Sequence, residues 1–283
     1  MFRLLNRLLL MSVLSIPASA QVITGLDHVP VAVKNLDSAA SRYRALGFAL
    51  KPGRLHDNGI RNLHVKFKDG TELELITAAE PRDALTREYR QHLAAGEGPA
   101  FLALYTPEIP ALINLLKRLQ QPFEVEDGFP AVPAGNPLHY LFFGRRNQSP
   151  TDQPAHFAHE NSAESLIGVW IATNDSLPLR NLLQEGGALI RKEQVGVPQR
   201  QSATVAYLKE GTVVLLPVAQ QVVSGHPVIG VTLRVKSIEK VKRVLKNNNM
   251  NIPATIAGNG SLSLLLSPSQ TCGLWLEFRQ IKK

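Results

Sequence analysis

Cysteine is almost absent from this chain of 283 residues: Cys272 is the only one. A single thiol cannot form an internal disulfide, and it cannot build a cysteine-rich zinc site. The surrounding segment, Thr-Cys-Gly-Leu-Trp, contains neither His nor Asp, so no neighbour in the sequence would activate the thiol as a nucleophile. We therefore expect Cys272 to be a core or turn residue.

Several catalytic signatures are missing as well. The chain has no Gly-x-Ser-x-Gly elbow, which leaves a hydrolase with a Ser/His/Asp triad of that kind unsupported. It has no Gly-x-Gly-x-x-Gly after a predicted strand and no Gly-Lys-Ser/Thr phosphate loop. Nucleotide cofactors are therefore not expected.

Long apolar runs are absent after residue 20, and the run before it is short. Residues 1–20 combine Arg3 and Arg7, an apolar stretch and a closing Ala-Ser-Ala, which is the pattern of a secretory signal peptide. The apolar stretch is well short of the ~20 residues that span a bilayer. We expect cleavage after Ala20 and a periplasmic or secreted protein without a stable membrane anchor. An uncleaved N-terminal anchor is the alternative.

A strong charge of one sign is also lacking. The formal net charge is +8, and the basic residues are spread thinly along the chain. Nucleic-acid binding calls for basic residues clustered on one face, so this distribution indicates a solvated basic surface instead. Together with the predicted export, it makes nucleic acid an unexpected partner.

What the chain does contain is an internal repeat. Phe67–Thr77 and Leu208–Val218 both start with a Lys-Asp/Glu-Gly-Thr turn that leads into an apolar strand. An apolar strand and a helical segment precede each copy, so a supersecondary unit is repeated. Glu74 of the first copy aligns with Leu215 of the second. This difference predicts a functional site in the first half of the chain.

With this repeat, the strand and helix patterns along the chain predict four βαβββ units and an α+β fold, and the polar segment Asn161–Glu164 is the expected junction of two domains. The predicted division is 1–20 for the signal peptide, 21–160 for the first domain and 161–283 for the second. In the second unit, Pro137–Phe143 and Ala155–His159 are predicted strands. The polar segment Glu80–Gly98 predicts a helix that joins the first two units and covers a pocket as a lid.

Three segments of the first unit carry a family resemblance: Leu26–Asp37, Ala45–Phe48 and Asp69–Ile76. Together with His159–Asp175, they resemble the glyoxalase I / vicinal oxygen chelate superfamily, in its glyoxalase-like branch. The resemblance covers essentially all of residues 22–280. It implies that each pair of units curls into a half-open barrel. The cup of such a barrel binds a divalent metal and the vicinal oxygens of a small substrate.

The resemblance also implies a ligand set. His28 falls at the position of the family's first ligand histidine, and Glu74 at that of its ligand carboxylate. Such ligands suit Zn, Fe, Mn or Ni better than Ca. Because catalytic metals usually have three protein ligands, a third is expected from the last strand of the second unit, and we favour His159 over His156. The alternative is that His28 and Glu74 hydrogen-bond each other without a metal.

Other polar residues of the first unit are candidates for substrate binding: His56, Arg61, Asn62 and His64. An Arg or Asn directed into the cup would bind an anionic or carbonyl-bearing substrate. An ordinary polar hairpin is the alternative. Phe101 occupies the position at which the second unit should supply another histidine, and we expect it to contact the substrate.

The second half departs from the family pattern. Gly168 and Gly230 stand where ligand histidines are expected, and Glu277 has no partner histidine. We therefore predict a degenerate second domain whose cup is filled by apolar side chains.

Three functions stay open. The first is a metal-dependent lyase, isomerase or dioxygenase that acts on a small molecule with vicinal oxygens. The second is a metal-free protein that binds and sequesters a small molecule, and the third is a scaffold without a ligand. The oligomeric state is left open, as is whether units pair within one chain or between chains.

Overall fold

The computed structural model describes residues 21–126, 128–146, 148–196, 198–258 and 260–282. The predicted signal peptide, residues 1–20, lies outside this part of the chain. No helix in the described ranges is long and apolar enough to cross a membrane.

Four units follow one another along the chain, each with one helix of its own. The first consists of β1 (Gly25–Leu26), β2 (His28–Ala32), α1 (Leu36–Ala45), β3 (Lys51–Pro52), β4 (Ile60–Lys66) and β5 (Glu72–Ala78). After the linking helix α2 (Ala84–Ala95), the second consists of β6 (Gly98–Pro99), β7 (Leu102–Tyr105), α3 (Ile109–Arg118), β8 (Glu124–Glu126), β9 (Phe129–Ala131) and β10 (Leu141–Gly144).

The second half repeats the arrangement with longer strands. Its first unit consists of β11 (Ala163–Thr173), α4 (Leu177–Glu185), β12 (Leu189–Val195), β13 (Gln201–Tyr207) and β14 (Thr212–Pro217). Its second unit consists of β15 (Val228–Val235), α5 (Ile238–Asn247), β16 (Thr255–Gly258), β17 (Ser261–Leu266) and β18 (Trp275–Ile281).

Units pair within the chain. In the second half, β11 and β15 are antiparallel neighbours at the centre of one eight-stranded sheet, with the order β12-β13-β14-β11-β15-β18-β17-β16. In the first half, β2 pairs with β5 and β6, while β1 pairs with β7. The predicted fold of four paired βαβββ units is confirmed.

The end of the second unit differs from the prediction. Ala155–His159 is not a strand, because Pro154–Phe157 forms a 3-10 helix that begins with a proline. The predicted strand over Pro137–Phe143 shortens to β10, since a turn precedes it in which Asn136 accepts a hydrogen bond from the Leu138 amide at 2.9 Å. Proline fixes its own φ angle, and asparagine hydrogen-bonds to the backbone two residues on, so both residues favour turns over strands.

Each half presents two faces. On one face, alternate strand residues such as Val31 and Leu73 pack with the side chains of α1, within a core cluster that draws on both halves. The opposite face of β2, β4 and β5 is called the first cup here, and it carries His28, Asn62 and Glu74. The corresponding face of the second half, which carries Trp170, Thr232 and Glu277, is called the second cup.

A one-residue difference in the repeated turn corrects the predicted equivalence of Glu74 and Leu215. The Phe67 amide donates to the carbonyl of Thr71, whereas the Leu208 amide donates to that of Gly211. A shift of one residue moves a side chain to the other face of a strand. The register places Val214, not Leu215, at the structural position of Glu74, and Leu215 lies in the core on the helix side.

Helix α2 packs on the first cup, as the lid prediction required. Asp83 and Thr86 form a reciprocal capping box at its start. Tyr89 and Leu93 then pack with Ile60, Ile76 and Phe101 in an apolar cluster separate from the main core. The equivalent link in the second half contains only the short 3-10 turn Val218–Gln220. The second cup keeps a cavity of about 610 Å³.

Candidate binding site in the first cup

His28 begins β2, and the residue before it holds its ring. The His28 Nδ1 atom lies 3.1 Å from Oδ1 of Asp27, whose other carboxylate oxygen accepts the Arg146 amide at 2.9 Å. The opposite ring atom, Nε2, faces Oε2 of Glu74 at 3.9 Å. That separation is too long for a hydrogen bond. The His28 side chain is 26% exposed, so a small molecule can reach it.

Glu74 is held from the other side. Its Oε1 atom accepts a hydrogen bond from Nδ2 of Asn62 at 2.5 Å, and its side chain is 13% exposed. Asn62 itself packs against Gly53, where an added Cβ would lie 1.7 Å from Asn62 Oδ1. A glycine is therefore required at this close approach. His28 Nε2 and Glu74 Oε2 therefore face each other, and neither atom makes a hydrogen bond.

The electrostatics of the cup favour a protonated His28. Burial alone lowers the pKa of the imidazole, but the hydrogen bond and charge of Asp27, with the charges of Glu74 and Glu72, raise that pKa to about 9. The ring is therefore a cation at neutral pH and carries a proton on Nε2. His28 and Glu74 thus present a donor beside an acceptor.

A second polar group lies deeper along the same strands. His64 Nδ1 is 3.3 Å from Glu72 Oε1, and Lys51 and Lys66 contact the two oxygens of Asp152 at 2.5 and 2.7 Å. Burial alone raises the pKa of Asp152, but these two lysines lower it to about 2. Because cations and carboxylates alternate here, the cup has little net attraction for an anion.

His159 does not join this site. Its Nδ1 atom accepts the Ala49 amide at 3.1 Å and its Nε2 atom lies 2.9 Å from the carbonyl oxygen of Lys66. Both ring nitrogens are therefore committed to the backbone, and the ring packs edge-on against Phe48 and Phe67. The structure gives His159 a structural role instead of the expected ligand role.

The other expected residues separate into three places. Asn62 and His64 face the first cup, whereas Arg61 is exposed on the opposite face of β4 and lines a surface groove with Arg90. His56 lies in the turn before β4. Phe101 packs beneath α2, with ring centroids 5.4 Å from Tyr89 and 4.6 Å from Phe142.

The expected metal fits the first cup incompletely. Within the described ranges, no three His, Cys, Asp or Glu side chains are grouped so that they could hold a metal ion. His28 and Glu74 supply two free ligand atoms, and catalytic metals usually have three protein ligands.

The second cup is polar, and the prediction of an apolar one is wrong. Glu277 lies at its floor, 1% exposed, and accepts from Thr232 Oγ1 at 2.7 Å and from Arg279 Nη2 at 2.8 Å. Trp170 Nε1 donates to Thr232 in turn, at 3.1 Å. Sequence reasoning noticed Glu277 but missed Thr232 and Arg279, which stand at alternate positions on β15 and β18 and so face the same cup.

A family model described as a glyoxalase-like domain matches residues 26–210. The chain belongs to the glyoxalase-like domain family. The expected resemblance to the glyoxalase-like branch is confirmed with it. No curated protein matches the chain.

Solved structures share the fold of this glyoxalase-like protein. A triple mutant of 4-hydroxymandelate synthase from Streptomyces coelicolor matches with a TM-score of 0.66 and 14% identity, over 92% of this chain and 93% of that one. The 2,3-dioxygenase LapB from Pseudomonas sp. KL28 matches with a TM-score of 0.60 and 15% identity, over 92% and 94%. At such identities the likeness shows the fold alone.

A third match is longer than this chain. It is a fusion of a xylose isomerase-like TIM barrel with 4-hydroxyphenylpyruvate dioxygenase, with a TM-score of 0.63 and 15% identity. This chain spans 50% of that protein, while 94% of this chain is covered.

Proposed function

We propose that the first cup binds a small molecule with two adjacent oxygens, clasped between His28 and Glu74. The observation that carries the proposal is the 3.9 Å gap between His28 Nε2 and Glu74 Oε2. Each atom has unused hydrogen-bonding capacity, and each side chain is held by a partner on its far side, Asp27 or Asn62.

The two side chains that border the gap determine which class of ligand fits. The His28 imidazolium donates, so it matches a carbonyl or hydroxyl oxygen, and the Glu74 carboxylate accepts, so it matches a hydroxyl group. A hydroxycarbonyl compound or a diol provides both on neighbouring carbons. The alternating charges around Glu72 and Asp152 favour an uncharged molecule over an anion.

The same pair suits proton transfer next to a carbonyl group. A carboxylate within reach of an acidic C–H or O–H acts as a general base. A cationic donor stabilises the negative charge that develops on the neighbouring oxygen. The proposed reaction class is therefore an isomerisation or a lyase reaction, with Glu74 as the base and His28 as the oxyanion donor.

A metal-dependent dioxygenase is the second candidate, and the fold shared with LapB favours it. In that case Zn, Fe, Mn or Ni would be held by His28 and Glu74. We place the metal-free clasp first, because His159 is committed to the backbone and the described residues of the cup offer two free ligand atoms.

Isothermal titration of chelator-treated protein with hydroxyacetone and with catechol tests the proposal. His28→Gln and Glu74→Gln should each weaken binding by at least about tenfold, equivalent to ~1.4 kcal/mol. Glu277→Gln in the second cup is the matched control and should leave binding unchanged. Equal loss in the control, or none in the first-cup variants, would overturn the clasp. Binding that appears only after Fe(II), Mn, Zn or Ni is added would establish the second candidate in its place.

We also propose that the protein is exported, because residues 1–20 have the composition of a signal peptide. The intact mass of protein recovered from the periplasm or medium should correspond to a chain that starts at Gln21. A mass that includes Arg3 and Arg7 would contradict export by cleavage.

A further inference from the structure

A cavity of about 890 Å³ lies outside both cups, and His28, Glu74 and Glu277 are not among the residues that line it. Helix α2 and the loop at residues 134–140 form its first-half wall. The segments at residues 173–175 and 218–227 form its second-half wall. The cavity therefore lies at the junction of the two halves. Small-molecule sites often occur at such junctions, with volumes of ~300–1,000 Å³.

Two side chains of the first-half wall carry polar atoms without a partner. His92 Nε2 is buried and makes no hydrogen bond to any described residue. The hydroxyl group of Tyr140 also has no hydrogen-bond partner in the described ranges, and burial raises the pKa of Tyr140, so the group keeps its proton. Buried polar atoms without partners are costly, and such an atom calls for a water, an ion or a ligand.

The second-half wall contributes a similar atom, Nδ1 of His226, which is buried and without a partner. The His92 and His226 rings stack across the junction, with centroids 3.4 Å apart and planes 13° from parallel. Burial, then the neighbouring His226, lowers the pKa of His92 to about 3, and burial lowers the pKa of His226. Both rings are therefore neutral at physiological pH. In either tautomer, the unpartnered nitrogen of each ring can bond to a hydroxyl group, which both donates and accepts.

Amide and carboxylate groups with unused hydrogen-bonding capacity complete the lining. Asn136 Oδ1 accepts the Leu138 amide at 2.9 Å, which leaves the Asn136 side-chain amino group unpartnered among the described residues. Asp175 Oδ1 accepts the Leu177 amide at 3.1 Å and leaves its other oxygen available. The side chain of Asn174 lies between these walls without a partner in the described part of the chain.

The charges of the lining restrict the class of ligand. Although the chain has a formal net charge of +8, none of the described residues that line this cavity is Lys or Arg. A phosphate or carboxylate group would therefore find no fixed cation. Glu88 is already engaged, because its Oε2 atom lies 3.0 Å from His139 Nε2. An ammonium group only donates, so it would leave the amide donors of Asn136 and Asn174 unpaired, whereas a hydroxyl group can bond to every group described above.

We propose that this cavity binds an uncharged polyhydroxylated molecule of about the size of a disaccharide. Its hydroxyl groups would bond to His92 and Tyr140 of the first half and to His226 and Asn174 of the second. The buried ring nitrogens would gain the partners that the protein itself does not supply. Because the ligand contacts both walls, it would hold α2 of the first half against the 218–227 segment of the second. The site is independent of the ligand proposed for the first cup.

Isothermal titration of the full chain with maltose, trehalose and sucrose tests the site. At least one of these sugars should bind with one equivalent per chain. Tyr140→Phe removes only a hydroxyl group, and His92→Phe keeps a ring beside His226 but removes both ring nitrogens. Each change should weaken binding by about three- to tenfold, as expected for the loss of one or two hydrogen bonds.

Two variants serve as controls. Tyr105→Phe also removes a tyrosine hydroxyl, but Tyr105 lies outside the cavity, with the Arg146 guanidinium 4.4 Å from the centre of its ring. His28→Gln removes the donor of the first cup. Both variants should bind the sugar as the unaltered chain does, and this result would stand whether or not the first cup binds its own ligand.

Several outcomes would overturn the proposal. If none of the three sugars binds saturably, the unpartnered atoms are satisfied by water alone. Equal binding by Tyr140→Phe, His92→Phe and the controls would place the sugar elsewhere. Loss of binding in His28→Gln, with binding kept in Tyr140→Phe and His92→Phe, would assign the sugar to the first cup. Tighter binding of putrescine or of glucose 6-phosphate than of the sugars would exclude an uncharged ligand.

Discussion

The two cups are built from the same repeated unit, but the segments that link their units differ. Helix α2 packs on the first cup, with Tyr89 and Leu93 against its apolar end. In the second half a linker with one 3-10 turn takes the place of that helix, and a cavity of about 610 Å³ stays open. The segment that joins two units, more than the units themselves, decides which cup is covered.

The polar side chains of the cups differ in a second way. In the second cup, Trp170, Thr232, Glu277 and Arg279 form a continuous chain of hydrogen bonds. In the first cup, His28 and Glu74 are each held from behind and leave a gap between them. A polar floor is therefore not evidence of a binding site by itself. Unused donors and acceptors that face each other are better evidence.

Truncating the side chain by which α2 packs on the first cup should have the largest effect on stability. Tyr89 is 2% exposed between α2 and the first cup, so Tyr89→Ala should lower the free energy of unfolding by ~3–5 kcal/mol, as for large aromatic residues in cores. Val218→Ala in the equivalent linker of the second half is the control and should change it by less than ~0.5 kcal/mol. Urea unfolding followed by circular dichroism measures both. Similar effects for the two variants would contradict the difference between the linkers.

The corrected register gives the next prediction. Leu215 lies in the helix-side core, so Leu215→Ala should cost ~2–5 kcal/mol of stability without enlarging the second cup. Val214→Ala removes the side chain that occupies the position of Glu74, and should cost less because Val214 borders the open cavity. Unfolding midpoints of the two variants check this. A larger loss for Val214→Ala would restore the alignment read from the sequence.

Replacing Glu277 or Glu74 by glutamine should show which carboxylate stabilises the fold and which one binds the ligand. Glu277→Gln disturbs a buried network and should cost ~1–3 kcal/mol. Glu74→Gln keeps an acceptor for Asn62 and should cost less than ~1 kcal/mol, yet it should lose the bound hydroxyl compound. Stability and binding are to be measured on both variants. Loss of binding in Glu277→Gln, with binding retained in Glu74→Gln, would contradict the proposal and place the ligand in the second cup.

The smallest expected effect is the contribution of His28 to the pH dependence of stability. Its pKa is about 9 in the folded chain against an ordinary value of 6.5 for histidine, so the imidazolium stabilises the fold fully below pH 6.5. That contribution should disappear as the pH rises through 9, with a loss of ~1–2 kcal/mol after allowance for partial exposure. His28→Gln should flatten this part of the stability curve. An unchanged curve would mean that His28 is not held as a cation.

The repeated fold could be predicted from sequence because its signals are local. Apolar strands, caps such as Asn35 and turns such as Lys-Asp-Gly-Thr lie within a few residues of the elements they define. For example, Asn35 lies just before α1, and its side chain accepts the Ser38 amide of that helix at 2.8 Å. The positions of His28 and Glu74 follow from the resemblance of their segments to the glyoxalase-like family, whose motifs are also local.

The remaining features depend on tertiary placement. His159 was expected on a strand, but Pro154 starts a 3-10 helix that turns its ring towards the backbone of Ala49 and Lys66. Leu215 was assigned to the wrong face because a single extra residue in a turn leaves no mark in the aligned motif. His92, His139 and His226 lie in three distant segments, and all three line one cavity between the first and second halves of the chain.

The most direct test of the account is a crystal structure of the chelator-treated protein with hydroxyacetone bound. We expect one ligand oxygen within hydrogen-bond distance of His28 Nε2 and the other within that distance of Glu74 Oε2, with the second cup containing only solvent. A ligand bound over Glu277 and Arg279 in the second cup, and none between His28 and Glu74, would contradict the account.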